Sequence, residues 1–180
     1  MRTWTRGVLL AWALWGCSNP EDPRVIYAEY FEHLCDEMPC GWTQRGGPEG
    51  AARFVHTAAG ARGLEFMGDG VLVHAEPMGM PTGSRQVISN VMARLIARCD
   101  SDSGLELRLN LELLDGNIIT LSREFAPDDR WSEGPNDELL EPREESSSSV
   151  WEFERVLALQ LLKRGPGACE LSGMIIRAFP

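Results

Sequence analysis

A tryptophan lies within an acidic, proline-containing stretch of the sequence, next to side chains that are able to form hydrogen bonds with hydroxyl groups. Asp128, Asp129 and Arg130 immediately precede Trp131. The indole ring can stack on the apolar face of a sugar, while the carboxylates and the guanidinium bond to its hydroxyl groups. These four residues are therefore the candidate ligand-binding residues. The competing interpretation, in which Trp131 folds back as a lid over the end of the domain, is the commoner fate of such a ring.

The motifs of common enzyme classes are absent from the sequence. It contains no Gly-x-Ser-x-Gly elbow, no His-Glu-x-x-His pair, no phosphate-binding loop and no dinucleotide fingerprint. Asp and Glu are frequent from Ala126 to Val150, which we interpret as a long exposed loop. A glycosidase, however, needs two carboxyl groups about 5–9.5 Å apart on a rigid frame. We therefore predict a protein that is not an enzyme, with no catalytic residues.

Metal sites are equally weakly indicated. The run Asp100-Ser101-Asp102-Ser103-Gly104 begins like a calcium loop but lacks the later bidentate Glu. A plain turn is the favoured interpretation, with a structural calcium ion as the alternative. His33, His56 and His74 are scattered, and no Cys-x-x-Cys pair occurs. No metal ligands and no cofactor are predicted.

The sequence begins with the pattern of an export signal. Arg2 and Arg6 precede an apolar stretch from Val8 to Trp15, which is too short to span a membrane. Cleavage after Ala13 would fit an ordinary secretory signal. Cleavage just before Cys17 is the alternative that we favour.

The junction Leu14-Trp15-Gly16-Cys17 resembles the lipobox of bacterial lipoproteins, although Trp15 is larger than the residue usual at its position. The resemblance implies a signal peptide over residues 1–16 and a lipid on Cys17, which would attach the protein to the membrane. Ser18, where an inner-membrane lipoprotein has Asp, implies an outer-membrane lipoprotein of the cell envelope. The side of the membrane that it faces stays open.

Export also explains the four remaining cysteines, Cys35, Cys40, Cys99 and Cys169. An even number in an oxidising compartment predicts two disulfides, for which three pairings exist. Cys35 and Cys40 are close enough to close a small loop, which would leave Cys99 for Cys169. The sequence alone leaves this pairing open.

Length and charge limit the architecture and the partners. The 180 residues fit one compact domain. The net charge of −10 argues against a general nucleic-acid binder, which needs clustered Lys and Arg. We divide the chain into the signal peptide, a lipidated tether with a short helix over residues 17–34, and a sandwich domain over residues 35–180. The oligomeric state is not predicted.

Hydrophobic periodicity predicts an all-β fold of seven or eight strands. Leucines alternate with polar residues from Leu105 to Leu113, which is the period of a strand with one buried face. Asp115-Gly116-Asn117 then predicts a tight turn into a returning strand, Ile118 to Phe125. A second hairpin is predicted around Gly165-Pro166-Gly167, between strands over residues 156–162 and 168–177. The shorter candidate strands cover residues 53–57, 63–67, 71–75 and 87–98, and the last of these also reads as a helix.

One short helix is predicted near the start of the domain. Asp22 is a suitable helix cap, Pro23 a suitable first residue, and Ile26, Tyr30 and Leu34 follow at helical spacing. The expected architecture is therefore an antiparallel β-sandwich with one short N-terminal helix.

Three segments resemble the galactose-binding-like jelly roll of carbohydrate-binding modules. They are Cys40-Gly41-Trp42, the strand that follows the run from Cys99 to Gly104, and the closing segment from Leu161 to Leu171. The resemblance implies non-catalytic binding of a glycan or an envelope protein through loops at one end of the sandwich. A structural envelope lipoprotein without a specific ligand is the alternative.

Overall fold

The computed structural model describes residues 24–35, 37–57, 60–76, 86–126, 137–143 and 151–180. Every regular element in these ranges is a β-strand, which confirms the all-β prediction. The strands are β1 (Arg24–Glu29), β2 (Leu34–Cys35), β3 (Met38–Pro39), β4 (Trp42–Gly46), β5 (Ala52–His56), β6 (Arg62–Met67), β7 (Leu72–Ala75), β8 (Gln86–Ile88), β9 (Asn90–Cys99), β10 (Gly104–Leu113), β11 (Ile118–Phe125), β12 (Glu138–Leu139), β13 (Glu141–Pro142), β14 (Trp151–Arg164) and β15 (Ala168–Phe179). No helix within the described ranges is long and apolar enough to cross a membrane.

Two antiparallel sheets form the sandwich. The six-stranded sheet has the order β12-β9-β15-β6-β5, with β1 beside β15, and the seven-stranded sheet has the order β13-β11-β10-β14-β7-β4, with β8 beside β14. A separate two-stranded ribbon consists of β2 and β3. Buried side chains from both sheets form one hydrophobic cluster, so the sheets pack face to face.

The leucine-rich strand and its hairpin are as predicted. Leu105, Leu107, Leu109 and Leu111 are completely buried, and the residues between them are half-buried on the opposite face of β10. β11 returns beside β10, with Leu109 opposite Leu121. Gly116 lies in the turn with φ 82°, a backbone conformation that glycine adopts without strain.

The second predicted hairpin is wrong, because β14 and β15 belong to different sheets. β14 pairs with β10 on one side and with β7 and β8 on the other, while β15 lies between β9 and the strands β1 and β6. Next to the turn, each of the two strands already has a neighbour on both sides. The turn from Gly165 to Gly167 therefore crosses from one sheet to the other.

The short N-terminal helix is also wrong for the described residues, because Arg24–Glu29 is strand β1. β6 pairs with β15 only as far as Leu171, which leaves the edge beyond that residue open for β1. Val25, Ile26 and Tyr27 favour an extended backbone, and pairing with β15 outweighs the helical spacing. Of the residues on the predicted helix face, Tyr30 and Leu34 are exposed.

The segment over residues 87–98, which could be read as a strand or as a helix, is extended and forms β8 and β9.

Part of the predicted acidic loop forms two short strands instead of irregular chain. β12 pairs with β9 in one sheet and β13 pairs with β11 in the other, so the chain crosses the side of the sandwich between them. Leu140, between these two short strands, is 2% exposed. Its burial closes the core on this side.

Both disulfides are present, Cys35–Cys40 and Cys99–Cys169. Cys99 and Cys169 lie opposite each other on β9 and β15, and both are buried. Cys35 and Cys40 enclose the small ribbon of β2 and β3. The pairing that sequence proximity favoured is therefore confirmed.

Candidate functional site

The candidate site in the described residues lies on the outer face of the seven-stranded sheet and not in the predicted loop. Asp128, Asp129, Arg130 and Trp131 lie outside the described residues, as does the predicted lipidation site, Cys17. Polar side chains that have no role in the core are instead brought together on the outer face of the seven-stranded sheet.

Five polar side chains form a row across this face, which we call the polar row. In strand order they are Ser122, Arg108, Gln160, His74 and Thr43, and each lies opposite its neighbours in the sheet. Opposed residues point to the same face of a sheet. At about 4.8 Å between adjacent strands, the row extends over roughly 19 Å. It faces away from the core, which is lined by the alternate residues of the same strands.

Near one end of the polar row, Arg108 forms an ion pair and hydrogen bonds with a charged side chain beside the row, that of Glu106. The guanidinium of Arg108 donates to both carboxylate oxygens of Glu106, at 2.7 and 2.9 Å, and Arg164 Nη2 donates to Glu106 Oε2 at 2.8 Å. The Glu106 side chain is 12% exposed and that of Arg108 16%. The bonds from Arg108, opposed by burial and reinforced by Arg164, lower the pKa of Glu106 to about 2. Glu106 therefore stays ionised at neutral pH and cannot donate a proton as a general acid.

The other end of the row contains polar groups that are available to a ligand. Within the described part of the chain, the side chains of Gln160, His74 and Thr43 have no hydrogen-bond or ion-pair partner. Gln160 and His74 are only half-buried, and Thr43 is exposed. An amide, an imidazole and a hydroxyl offer both donors and acceptors. They can bond to an uncharged ligand with many hydroxyl groups without first breaking a contact to another described residue.

Apolar surface lies directly beside these groups. Leu162 follows Gln160 by two residues on the same face of β14, and it lies opposite Leu72 of β7. Both leucines are half-buried. The C–H faces of a sugar ring can pack on such a surface while its hydroxyl groups meet the polar row. The face thus offers the two kinds of contact that a glycan makes.

The two tryptophans in the described ranges belong to the hydrophobic core. Trp42 is 4% exposed and Trp151 is 8% exposed, and both belong to the core. Trp42 Nε1 donates to Glu29 Oε2 at 3.3 Å, and its ring lies 5.8 Å from that of Phe31. These rings are not available to a ligand.

The turn that resembled a calcium loop is held by bonds within the protein. Asp100 Oδ2 accepts from the backbone N–H of Ala168 at 2.7 Å, and Ser103 Oγ accepts from that of Gly167 at 2.9 Å. The ammonium group of Lys163 lies beside the same hydroxyl group. In the described ranges, no group of three His, Cys, Asp or Glu residues is arranged to hold a metal ion. The turn therefore joins the two sheets through its own side chains.

No family model and no curated protein matches this sequence. Similar solved structures include carbohydrate-binding modules. One is the family 11 carbohydrate-binding module of Clostridium thermocellum in complex with a β-1,3-1,4-mixed-linked tetrasaccharide; it is 13% identical, the match covers 84% of this chain and 92% of the module, and the TM-score is 0.46.

Two further matches are to parts of larger proteins. The CBM22-1–GH10 modules of endo-1,4-β-D-xylanase 10B from Clostridium thermocellum, complexed with xylohexaose, are 10% identical over 86% of this chain and 28% of that one, with TM-score 0.49. The Gap123 complex of Streptococcus agalactiae is 16% identical over 77% of this chain and 24% of that one, with TM-score 0.44. This chain thus spans about a quarter of the length of these two proteins.

Sequence reasoning found only part of the polar row. The alternation in β10 assigned Arg108 to the solvent face, whereas no face was predicted for Ser122 in the returning strand. His74, Gln160 and Thr43 are scattered in the sequence and follow no motif. Only the register of β14, β7 and β4 brings them together.

Proposed function

We propose that this protein is a non-catalytic, lipid-anchored protein of the cell envelope that binds a glycan on the outer face of its seven-stranded sheet. The lipid on Cys17 would fix the domain to the outer membrane. Asp128, Asp129, Arg130 and Trp131, which were predicted from the sequence as ligand-binding residues, remain candidates for further contacts. The alternative is a structural envelope lipoprotein that has no specific ligand.

The supporting observation is the polar row. Among the described residues the side chains of Gln160, His74 and Thr43 have no bonding partner, and Leu72 and Leu162 supply apolar surface beside Gln160 and His74. The arginine at the other end, Arg108, already forms two hydrogen bonds with Glu106. This combination favours an uncharged glycan over an anionic one, because the guanidinium of Arg108 is neutralised within the protein.

Binding can be tested by electrophoresis of the purified protein through native gels that contain soluble neutral polysaccharides, followed by titration calorimetry with oligosaccharides of the one that retards it. We expect Gln160→Ala and His74→Ala each to weaken binding about 2–12-fold, the loss of one ordinary hydrogen bond. Arg143→Ala is the control, because Arg143 is exposed and its side chain has no partner in the described ranges. Trp131→Ala tests the loop separately.

The outcomes separate the alternatives. Retardation that is lost in the variants of the polar row, and kept in Arg143→Ala, supports glycan binding on this face. If no polysaccharide retards the protein, and crosslinking in membranes captures reproducible protein partners instead, the glycan proposal is wrong.

The anchor is tested independently. We expect the mature amino terminus to be Cys17 with the mass of a diacylglycerol group added, and the protein to partition into detergent. Cys17→Ser should abolish both properties. A mature chain that begins at Leu14 would instead indicate ordinary secretion.

A further inference from the structure

A cleft at the side of the sandwich is distinct from the polar row. It has a volume of about 570 Å³, within the usual range for small-molecule sites. Its walls are Glu37 and Met38 of the ribbon, the end of β4, the β4–β5 connection and the start of β5. We call it the side cleft.

The walls of the side cleft are held in place by specific bonds. The Cys35–Cys40 disulfide encloses Glu37 and Met38, which form one wall. Gln44 fixes the opposite wall: its Nε2 donates to the carbonyl groups of Gly46 and Pro48, and its Oε1 accepts from the Ala52 N–H at 3.0 Å. The shape of the cleft is thus built into the fold.

Charges of both signs line the side cleft without pairing. Arg45 lines it together with Glu37 and Glu49, and all three side chains are exposed. Within the described residues, none of these three side chains has an ion-pair or hydrogen-bond partner. The second arginine of the cleft, Arg53, behaves differently, because it is paired with Glu65 at 2.5 Å. Arg45, Glu37 and Glu49 thus line one cleft without forming an ion pair with one another.

We propose that the side cleft binds a small zwitterionic molecule, one that carries an ammonium group and a carboxylate group. The carboxylate would accept from the planar guanidinium of Arg45, which suits two-point recognition of a carboxylate. The ammonium group would lie between Glu37 and Glu49. A molecule with both charges satisfies all three side chains, whereas a singly charged molecule leaves part of the set without a partner. An amino-sugar acid and a short peptide both have this chemistry.

Calorimetric titration of the full-length protein with four related sugars separates the two charges. Muramic acid carries both, N-acetylmuramic acid only the carboxylate, glucosamine only the ammonium, and N-acetylglucosamine neither. We expect muramic acid to bind at least 10-fold more tightly than either singly charged sugar. Glycylglycine distinguishes the sources: affinity equal to that of muramic acid means that the charge pair alone is recognised, and weaker binding means that the sugar ring also contributes. Equal affinity for all four sugars, or no binding of muramic acid, overturns the proposal.

Variants of the cleft residues test which side chain binds the carboxylate and which bind the ammonium group of the ligand. Arg45→Gln should weaken muramic acid and N-acetylmuramic acid at least 5-fold and leave glucosamine unchanged. The double variant Glu37→Gln/Glu49→Gln should weaken muramic acid and glucosamine instead. Arg143→Gln is the matched control and should change neither. If Arg45→Gln and Arg143→Gln have the same effect, the side cleft is not the site.

This experiment is independent of the glycan proposal. Gln160→Ala and His74→Ala lie on the sheet face and should not alter muramic acid binding. Loss of polysaccharide binding with retained muramic acid binding in these two variants, and the reverse in Arg45→Gln, would show that the two sites act independently.

Discussion

The ammonium nitrogen of Lys163 lies 3.3 Å from the hydroxyl oxygen of Ser103, and the lysine side chain has no solvent exposure. It also donates to the carbonyl group of Gly165. Burial lowers the pKa of Lys163, while the nearby carboxylates of Asp69 and Asp100 act in the opposite direction. One buried cation thus ties the end of β14 to the turns at the same end of the sandwich.

Replacing this lysine tests its structural role. Lys163→Met keeps the apolar stem but removes the donor for Ser103 and Gly165. We expect the free energy of unfolding, measured by urea denaturation, to fall by about 1–3 kcal/mol, the usual cost of leaving buried polar groups unpaired. Arg143→Met, an exposed control, should change it by less than about 0.5 kcal/mol. A Lys163→Met protein as stable as the wild type would show that the contact contributes no net stability.

We expect the protein to lose stability in acid, because Glu106 is ion-paired with Arg108 and Arg164. The pKa of Glu106 is about 2 in the folded protein, against an ordinary value of 4.5. Between these two pH values the folded state binds fewer protons than the unfolded state. The contribution of Glu106 to the free energy of unfolding is therefore complete above pH 4.5 and is lost as the pH falls towards 2. Glu106→Gln should lower the free energy of unfolding by about 1–3 kcal/mol at pH 7. The difference from wild type should shrink below pH 4.5; a difference that stays constant down to pH 2 would contradict this account.

The two disulfides should contribute unequally. Cys99–Cys169 joins residues 70 positions apart and Cys35–Cys40 residues five positions apart. By the chain-entropy model, the double Cys→Ala variants should lose about 4 and about 2 kcal/mol of unfolding free energy, respectively. Guanidinium denaturation of the two variants gives this comparison directly. The reverse order would mean that strain or structure in the unfolded state dominates the effect.

Gly165 is required by both its backbone conformation and its surroundings. Its φ is 83°, and a Cβ at this position would lie 2.0 Å from the carbonyl oxygen of Asp102. Gly116 is a matched control, with φ 82° and open space around the same position. We expect Gly165→Ala to lower the thermal midpoint clearly more than Gly116→Ala, because only the first adds a steric clash to the strain of a positive φ. Equal shifts would indicate that the Asp102 turn moves aside.

Some features of this protein follow from short stretches of its sequence. The leucine alternation in β10 defines a strand with one buried face, because successive side chains of a strand point to opposite sides. The turn at Gly116 and the returning strand β11 are just as local. The proximity of Cys35 and Cys40 likewise favoured the disulfide pairing that the structure contains. Each of these predictions depends on neighbouring residues alone.

The remaining features depend on contacts between distant residues. The helical spacing near Tyr30 did not produce a helix, because β1 pairs with the open edge of β15. The segment at Gly165 does not form the expected hairpin, because the strands before and after it already have neighbours on each side. The polar row and the side cleft bring together side chains from separate strands and turns, in a register that no short pattern encodes. Sequence periodicity determined which face of a strand is buried, whereas the tertiary structure decided which strands share a sheet. The reason is that the backbone N–H and C=O groups at a strand edge bond to whichever distant segment the packed core places beside them.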